Sequence, residues 1–137
     1  MKKNHRFKIG DVFQIALPNG KYAYGRIYKD ASVGIYRQLT SEPNQPPIGS
    51  RDFLFHVGLY RPILSSGEWP IIAHDKFESS ESKWPPPYYI KDEISGEYEI
   101  YHQGEIRKSS AKECKGLERA AVWGSSHVIN RIMEELG

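Results

Sequence analysis

Histidines, carboxylates and one thiol are the side chains with which this chain could do chemistry, and their spacing matches no catalytic template. His56, His74 and His102 fall on three separate segments of alternating apolar residues. With Asp75 or Glu78 they could ligate a metal, since imidazole and carboxylate are good zinc donors. No H-E-x-x-H or H-x-H spacing sets two of them on one helix or strand face, so they read as scattered, partly exposed histidines. Carboxylates pair at Asp92 and Glu93, at Glu97 and Glu99, and at Glu134 and Glu135. Acid–base work needs two carboxyls facing each other in a cleft with their pKa values driven apart. Adjacent strand residues point to opposite faces, and acids beside turns stay hydrated. Cys114, the single cysteine, has Lys112 and Lys115 nearby, which favour its thiolate, but a structural cysteine is the simpler reading. No G-x-S-x-G elbow, P-loop or dinucleotide glycine pattern occurs. A hydrolase built on His74, Asp75 and His102 is therefore the least supported reading, and no catalytic, metal or cofactor residue is assigned.

The aromatics say more. Nine tyrosines and three tryptophans are many for 137 residues. Both types combine contact area with a polar tip and are favoured at interfaces, although they also serve ordinary β cores. Trp84, beside Pro85-Pro86-Pro87, is expected as an exposed anchor because its flanking sequence forbids deep regular structure. Trp69, followed by Pro70, ranks next. Glu78, Glu81, Asp92, Glu93 and Glu97 lie in or near expected loops and turns, and could form an acidic contact patch. Solvated loop charge is the competing reading for each alone.

The elements that would position these residues are mostly strands. Phe13, Ile15 and Leu17 alternate, Pro18-Asn19-Gly20 makes a hairpin turn, and Lys21–Lys29 forms the return strand, with Gly25 expected at a bulge or bend. Val33–Leu39 alternates again, 41–50 reads as a loop, and Phe53, Phe55, Val57 and Leu59 mark a central strand. Trp69–Asp75, Tyr88–Asp92, Tyr98–His102 and Glu105–Lys108 are further strands, separated by a proline-rich loop and turns at Ser95-Gly96 and Gln103-Gly104. Val128, Ile129, Ile132, Met133 and Leu136 share a helical face, with Leu117 and Ala121 extending it upstream and Ser125 or Ser126 as cap. The fold class is α+β, mainly β: a curled antiparallel sheet or partly open small barrel with a C-terminal helix.

Length and composition bound the function. Residues 1–137 fit one domain. A net charge of +2 is too small to imply nucleic acid, and the basic residues Lys2, Lys3, His5, Arg6 and Lys8 read as a solvated terminus. No stretch approaches a membrane span, no apolar run follows the first lysines, and one cysteine suits a reducing compartment, so a cytoplasmic protein is expected.

The run from Lys8 to Ile27 resembles the opening of the immunity protein 26 family of bacterial polymorphic toxin systems. The shared features are Gly10-Asp11-Val12-Phe13, an alternating strand ending in Leu17-Pro18-Asn19-Gly20, and Tyr22-Ala23-Tyr24-Gly25-Arg26. The resemblance implies a single immunity-type domain in a bacterial cytoplasm that binds and neutralises a cognate toxin domain as a protein–protein inhibitor. It carries no membrane role and no interface residues, and leaves the oligomeric state open. The residues agree, since inhibition needs complementary shape, buried aromatic anchors and matched charge rather than a reactive group. Many such toxins are nucleases with basic clefts, for which an acidic surface is a sensible inhibitor. The alternative is a small nucleic-acid-binding barrel in which Tyr22, Tyr24 and Tyr36 stack on bases while Lys21, Arg26 and Arg37 meet phosphates.

Overall fold

Period-two alternation builds the strands where it occurs. In the computed structural model, which describes residues 5–137, β1 (Asp11–Ala16) and β2 (Tyr22–Ile27) form a hairpin across Pro18-Asn19-Gly20. Gly20 sits at φ 82°, the left-handed conformation that tight turns need. The next turn reaches the same region without glycine, at Asp30 (φ 66°) and Ala31 (φ 53°). It delivers β3 (Ser32–Tyr36), which pairs with β4 (Phe53–Leu59). The one-turn helix α1 (Pro62–Ser65) leads to β5 (Ile71–His74), which returns to β1.

A second sheet follows. After a short 3-10 turn at Glu81–Lys83 come β6 (Tyr88–Lys91), β7 (Tyr98–His102) and β8 (Glu105–Ser109) in antiparallel order. The one-turn helix α2 (Ala111–Cys114) is capped by Ser110, whose hydroxyl accepts from the Glu113 amide at 3.2 Å. Gly116 at φ 87° turns the chain out of α2. The segment expected to extend the C-terminal helix then runs as two short strands, β9 (Glu118–Arg119) and β10 (Val122–Trp123). Leu117 and Ala121 are therefore not part of the helical stripe. β9 pairs parallel with β6 and β10 pairs parallel with β4, so this segment stitches an end onto each sheet. The large sheet has the order β10-β4-β3-β2-β1-β5 and the small one β8-β7-β6-β9. The mainly β architecture with a C-terminal helix matches expectation. It consists of two sheets, neither closed into a barrel, and two of its pairings are parallel.

Helix α3 (Ser125–Leu136) starts at Gly124, whose extended backbone occupies the cap position. Neither Ser125 nor Ser126 caps it, because both already lie inside the helix. Val128 and Ile132 bury its apolar stripe against the large sheet, where Phe13, Ile15, Val33, Ile35, Phe55, Val57, Ile63, Leu64 and Trp69 form one core.

Gly25 makes no bulge. It keeps regular register with Phe13 and Ile35, and the Phe13 ring covers it so closely that a Cβ would fall 2.1 Å from Phe13 Cζ. Packing, not curvature, requires glycine there. One irregularity lies in β4, where Ile35 faces Phe55 and Tyr36 faces Phe53, leaving Leu54 as the extra residue, and another in β5, where Val12 faces Ala73 and Phe13 faces Ile71, leaving Ile72 extra. Phe53 and Phe55 consequently join opposite faces: Phe55 the main core, Phe53 the cluster of Val12, Tyr24 and Tyr36 on the far side.

Candidate functional site

The motif residues Tyr22, Tyr24 and Arg26 share one face of β2, as alternation demands. That face is covered. Tyr24 and Tyr36 are fully buried and Arg26 is 1% exposed. The Arg26 guanidinium donates to the Asp75 carbonyl (3.0 Å) and the Lys76 carbonyl (2.8 Å), and its carbon lies 3.5 Å from the Phe77 ring centroid. It thus clamps residues 75–77 across the sheet. Bases could not stack on Tyr24 or Tyr36, nor phosphates reach Arg26, so the structure overturns the nucleic-acid surface drawn from these residues.

Asp75 is the hub of this cluster. It accepts from the Tyr36 hydroxyl (2.5 Å), from Arg51 Nη1 (3.1 Å) and from the Gly49 amide (3.4 Å). Burial by itself would raise the Asp75 pKa, but the Tyr36 and Arg51 hydrogen bonds, with Arg26 nearby, hold it below the usual carboxylate value. Burial, then the Asp75 carboxylate, pushes the Tyr36 phenol far up, so it stays a donor. His56, edge-on to Tyr28 at 4.8 Å, is lowered to about 4 by burial and is neutral at pH 7. Among the described residues no buried side-chain nitrogen or oxygen lacks a partner. A cluster whose donors and acceptors satisfy one another rigidifies a fold and leaves nothing aimed at a substrate.

The other candidates are dispersed. His74 lies on edge strand β5 and bonds Asp11 (2.9 Å), whereas Asp75 turns into the Arg26 cluster and His102 ends β7 in the small sheet. The three residues do not converge as a hydrolase needs, and no group of three or more histidine, cysteine or acidic residues among the described residues is placed to hold a metal. Cys114 is buried against Ser109 and the Glu99 carbonyl.

The expected contact residues fare unequally. Trp69 is 3% exposed and stacks on Phe13 at 5.4 Å, so it is core and offers nothing to a partner. Its proline neighbour limits backbone pairing, not burial of the indole. Trp84 is half-buried, with Lys29 Nζ 4.7 Å from its ring, rather than a free anchor. Glu78 is exposed but engaged by Arg51 at 2.5 Å, and Glu81 is exposed on the 3-10 turn. Asp92, Glu93 and Glu97 gather at the β6–β7 turn. Asp92 accepts from the Ile94 amide (2.8 Å), Glu93 pairs with Arg119 (2.7 Å), and Ile94 between them is 99% exposed. The structure thus splits the acidic residues between two elements.

A surface that local sequence patterns do not mark lies around β10. This two-residue strand is the outermost of the large sheet, with one side unpaired. Val122 is 71% exposed and neighbouring Tyr60, which donates its amide to the Trp123 carbonyl (3.0 Å), is 57% exposed. Between β10 and α3 runs an open groove of about 520 Å³ lined by Val122, Trp123, His127, Asn130, Arg131 and Glu134. Arg131 stands over Phe55 (4.1 Å) and Trp123 (5.5 Å) and grips Glu118 with two hydrogen bonds, fixing the groove wall. On the other side of β10 a cleft of about 290 Å³ is lined by Asp30, Ser32, Tyr88 and Tyr101, with Val122 on its rim. Tyr88 donates to Ser32 (3.0 Å) at its base, and burial raises that phenol to about 12. Exposed apolar residues rimmed by tyrosine, tryptophan and arginine are the composition of an interaction surface.

The family model for immunity protein 26 matches residues 8–100, most of the chain, and the protein belongs to that family. The match spans the large sheet's first five strands, the Arg26 clamp, β6 and the first half of β7. No curated protein and no solved structure matches the chain. No helix among the described residues is long and apolar enough to cross a membrane.

Proposed function

We propose that this protein is the cytoplasmic immunity partner of a bacterial polymorphic toxin, and that it neutralises the toxin by binding it, without catalysis. Family membership carries the reading. It is supported by the chemistry of the chain: the buried cluster of ionisable groups around Asp75 is internally satisfied, while the exposed features are those of a docking surface. The contact centres on Val122, Trp123 and Tyr60 around the unpaired side of β10, with the acidic β6–β7 turn (Asp92, Glu93, Glu97 and the exposed Ile94) as its electrostatic arm. Glu78, paired with Arg51 at the edge of the Arg26 cluster, Glu81 and the half-buried Trp84 play a lesser part. A stable complex buries about 800 Å² on each partner, which a domain of this size can supply.

The test is co-expression with the cognate toxin domain, sought first among genes adjacent to this one. Wild-type protein restores growth. Val122→Asp, which places a charge on an exposed position without disturbing the core, abolishes rescue while leaving the fold intact by circular dichroism. Undiminished rescue by Val122→Asp would remove β10 from the interface, and no rescue by the wild type would refute the function.

A further inference from the structure

We propose that the small sheet carries a nucleotide-binding pocket formed by Tyr89, Tyr98, Lys91, Lys115 and Arg119. The site does not depend on toxin binding. Lys91 and Tyr98 are cross-strand partners, and Tyr89 is their diagonal neighbour on the same face. The two rings lie 6.2 Å apart and Lys91 Nζ sits 5.7 Å from the Tyr98 centroid. The chain from α2 through Gly116 to Arg119 forms the facing wall of an open cleft of about 540 Å³, within the size range of small-ligand sites.

The charge in this cavity is one-sided. Lys91, Lys115 and Arg119 line it against a single carboxylate, Glu93, and that carboxylate is already held by Arg119 at 2.7 Å. Among the described residues Lys91 and Lys115 form no ion pair, so two ammonium groups face the cavity uncompensated. Two tyrosine rings beside two cations that form no ion pair suit a ligand with a planar ring and an anionic group. The ring stacks on tyrosine and the phosphate takes charge-assisted hydrogen bonds from the lysines. The buried Cys114 thiol closes the cavity wall through contacts to Ser109 and the Glu99 carbonyl, and contributes packing only.

An NMR titration of the full chain with AMP, with adenosine and inorganic phosphate as separate arms, tests the site. AMP is expected to shift the amides of Lys91, Tyr98, Lys115, Gly116 and Arg119 saturably, and to bind more weakly as salt is raised. Adenosine and phosphate bind at least about tenfold more weakly than AMP, because each makes half the contacts. Lys91→Ala and Lys115→Ala each weaken AMP about tenfold, whereas Lys112→Ala, outside the cavity, changes nothing. The absence of a saturable AMP response overturns the proposal. So does equal affinity for phosphate, which would leave no role for the tyrosines, or AMP binding untouched by both lysine variants.

Discussion

The Tyr36 hydroxyl donates to Asp75 Oδ2 at 2.5 Å, joining residues 39 positions apart in the sequence. Arg51 reaches the same carboxylate from the rim and Arg26 lies beneath it, with its Nε 3.9 Å from Asp75 Oδ2. The far face of the large sheet is therefore tied to the segment after β5 by polar bonds where its near face is sealed by hydrocarbon. Those bonds make separate demands on sequence and on pH.

Arg26 is the least replaceable residue of the cluster. Arg26→Met removes two hydrogen bonds to buried carbonyls and the cation over Phe77, and deprives Asp75 of a neighbouring charge. The expected loss is about 3–5 kcal/mol, the usual cost of breaking a buried charged pair from one side. Urea unfolding checks it, and Arg26→Lys should recover little, because an ammonium cannot span both carbonyls.

Asp75 sets an acid limit. Its folded pKa is depressed below 3.8, so the ionised form stabilises the fold above that value and the contribution disappears as pH falls through the folded pKa. Asp75→Asn should cost stability at neutral pH, and the gap between variant and wild type should close as pH drops below 3.8. A gap that stays constant to the lowest pH would detach Asp75 from acid unfolding.

His56 acts over a higher window. Its pKa falls from 6.5 to about 4 on folding, so between these values the unfolded chain takes up a proton that the folded chain refuses. Stability therefore declines as pH is lowered from 6.5 toward 4, with a slope of about one proton. His56→Phe, which keeps an aromatic ring against Tyr28 and Phe53, should flatten that decline. Thermal melts across the window read it directly.

Gly25 and Phe13 form a matched pair. Gly25→Ala drives a methyl into the Phe13 ring and is expected to destabilise by about 1–3 kcal/mol, as overpacking does. Gly124→Ala, with open space around it and φ −83°, should cost well under about 1 kcal/mol. Comparing the two by chemical denaturation separates a steric requirement from a general glycine effect.

What sequence revealed and what it hid follow from the range of each force. Phe13, Ile15 and Leu17 alternate, and Asn19-Gly20 closes the hairpin, through interactions within a few residues; the stripe of Val128 and Ile132 is equally local. The fate of 117–123 was not local. A helical spacing of Leu117 and Ala121 lost to pairing with β6 and β4, partners far away in the chain. The extra residue Leu54 hid in the same way, because period two assigned Phe53 and Phe55 to one face. Tyr22, Tyr24 and Arg26 are legible as one face of a strand, but the cover of Arg26, residues 75–77, is not, so Arg26 looks available when it is buried. Trp69 is buried despite its proline neighbour, because proline governs backbone pairing and says nothing of where an indole packs. Val122 gave no signal, since its exposure depends on β10 being the outermost strand.

The most direct test of the central claim is calorimetric titration of the purified protein with the proposed cognate toxin domain, inactivated for handling. Binding through surface complementarity predicts a saturable complex in the nanomolar range or tighter, weakened by at least about a hundredfold in Val122→Asp. Failure of the wild-type protein to bind that domain at micromolar concentration would contradict the account.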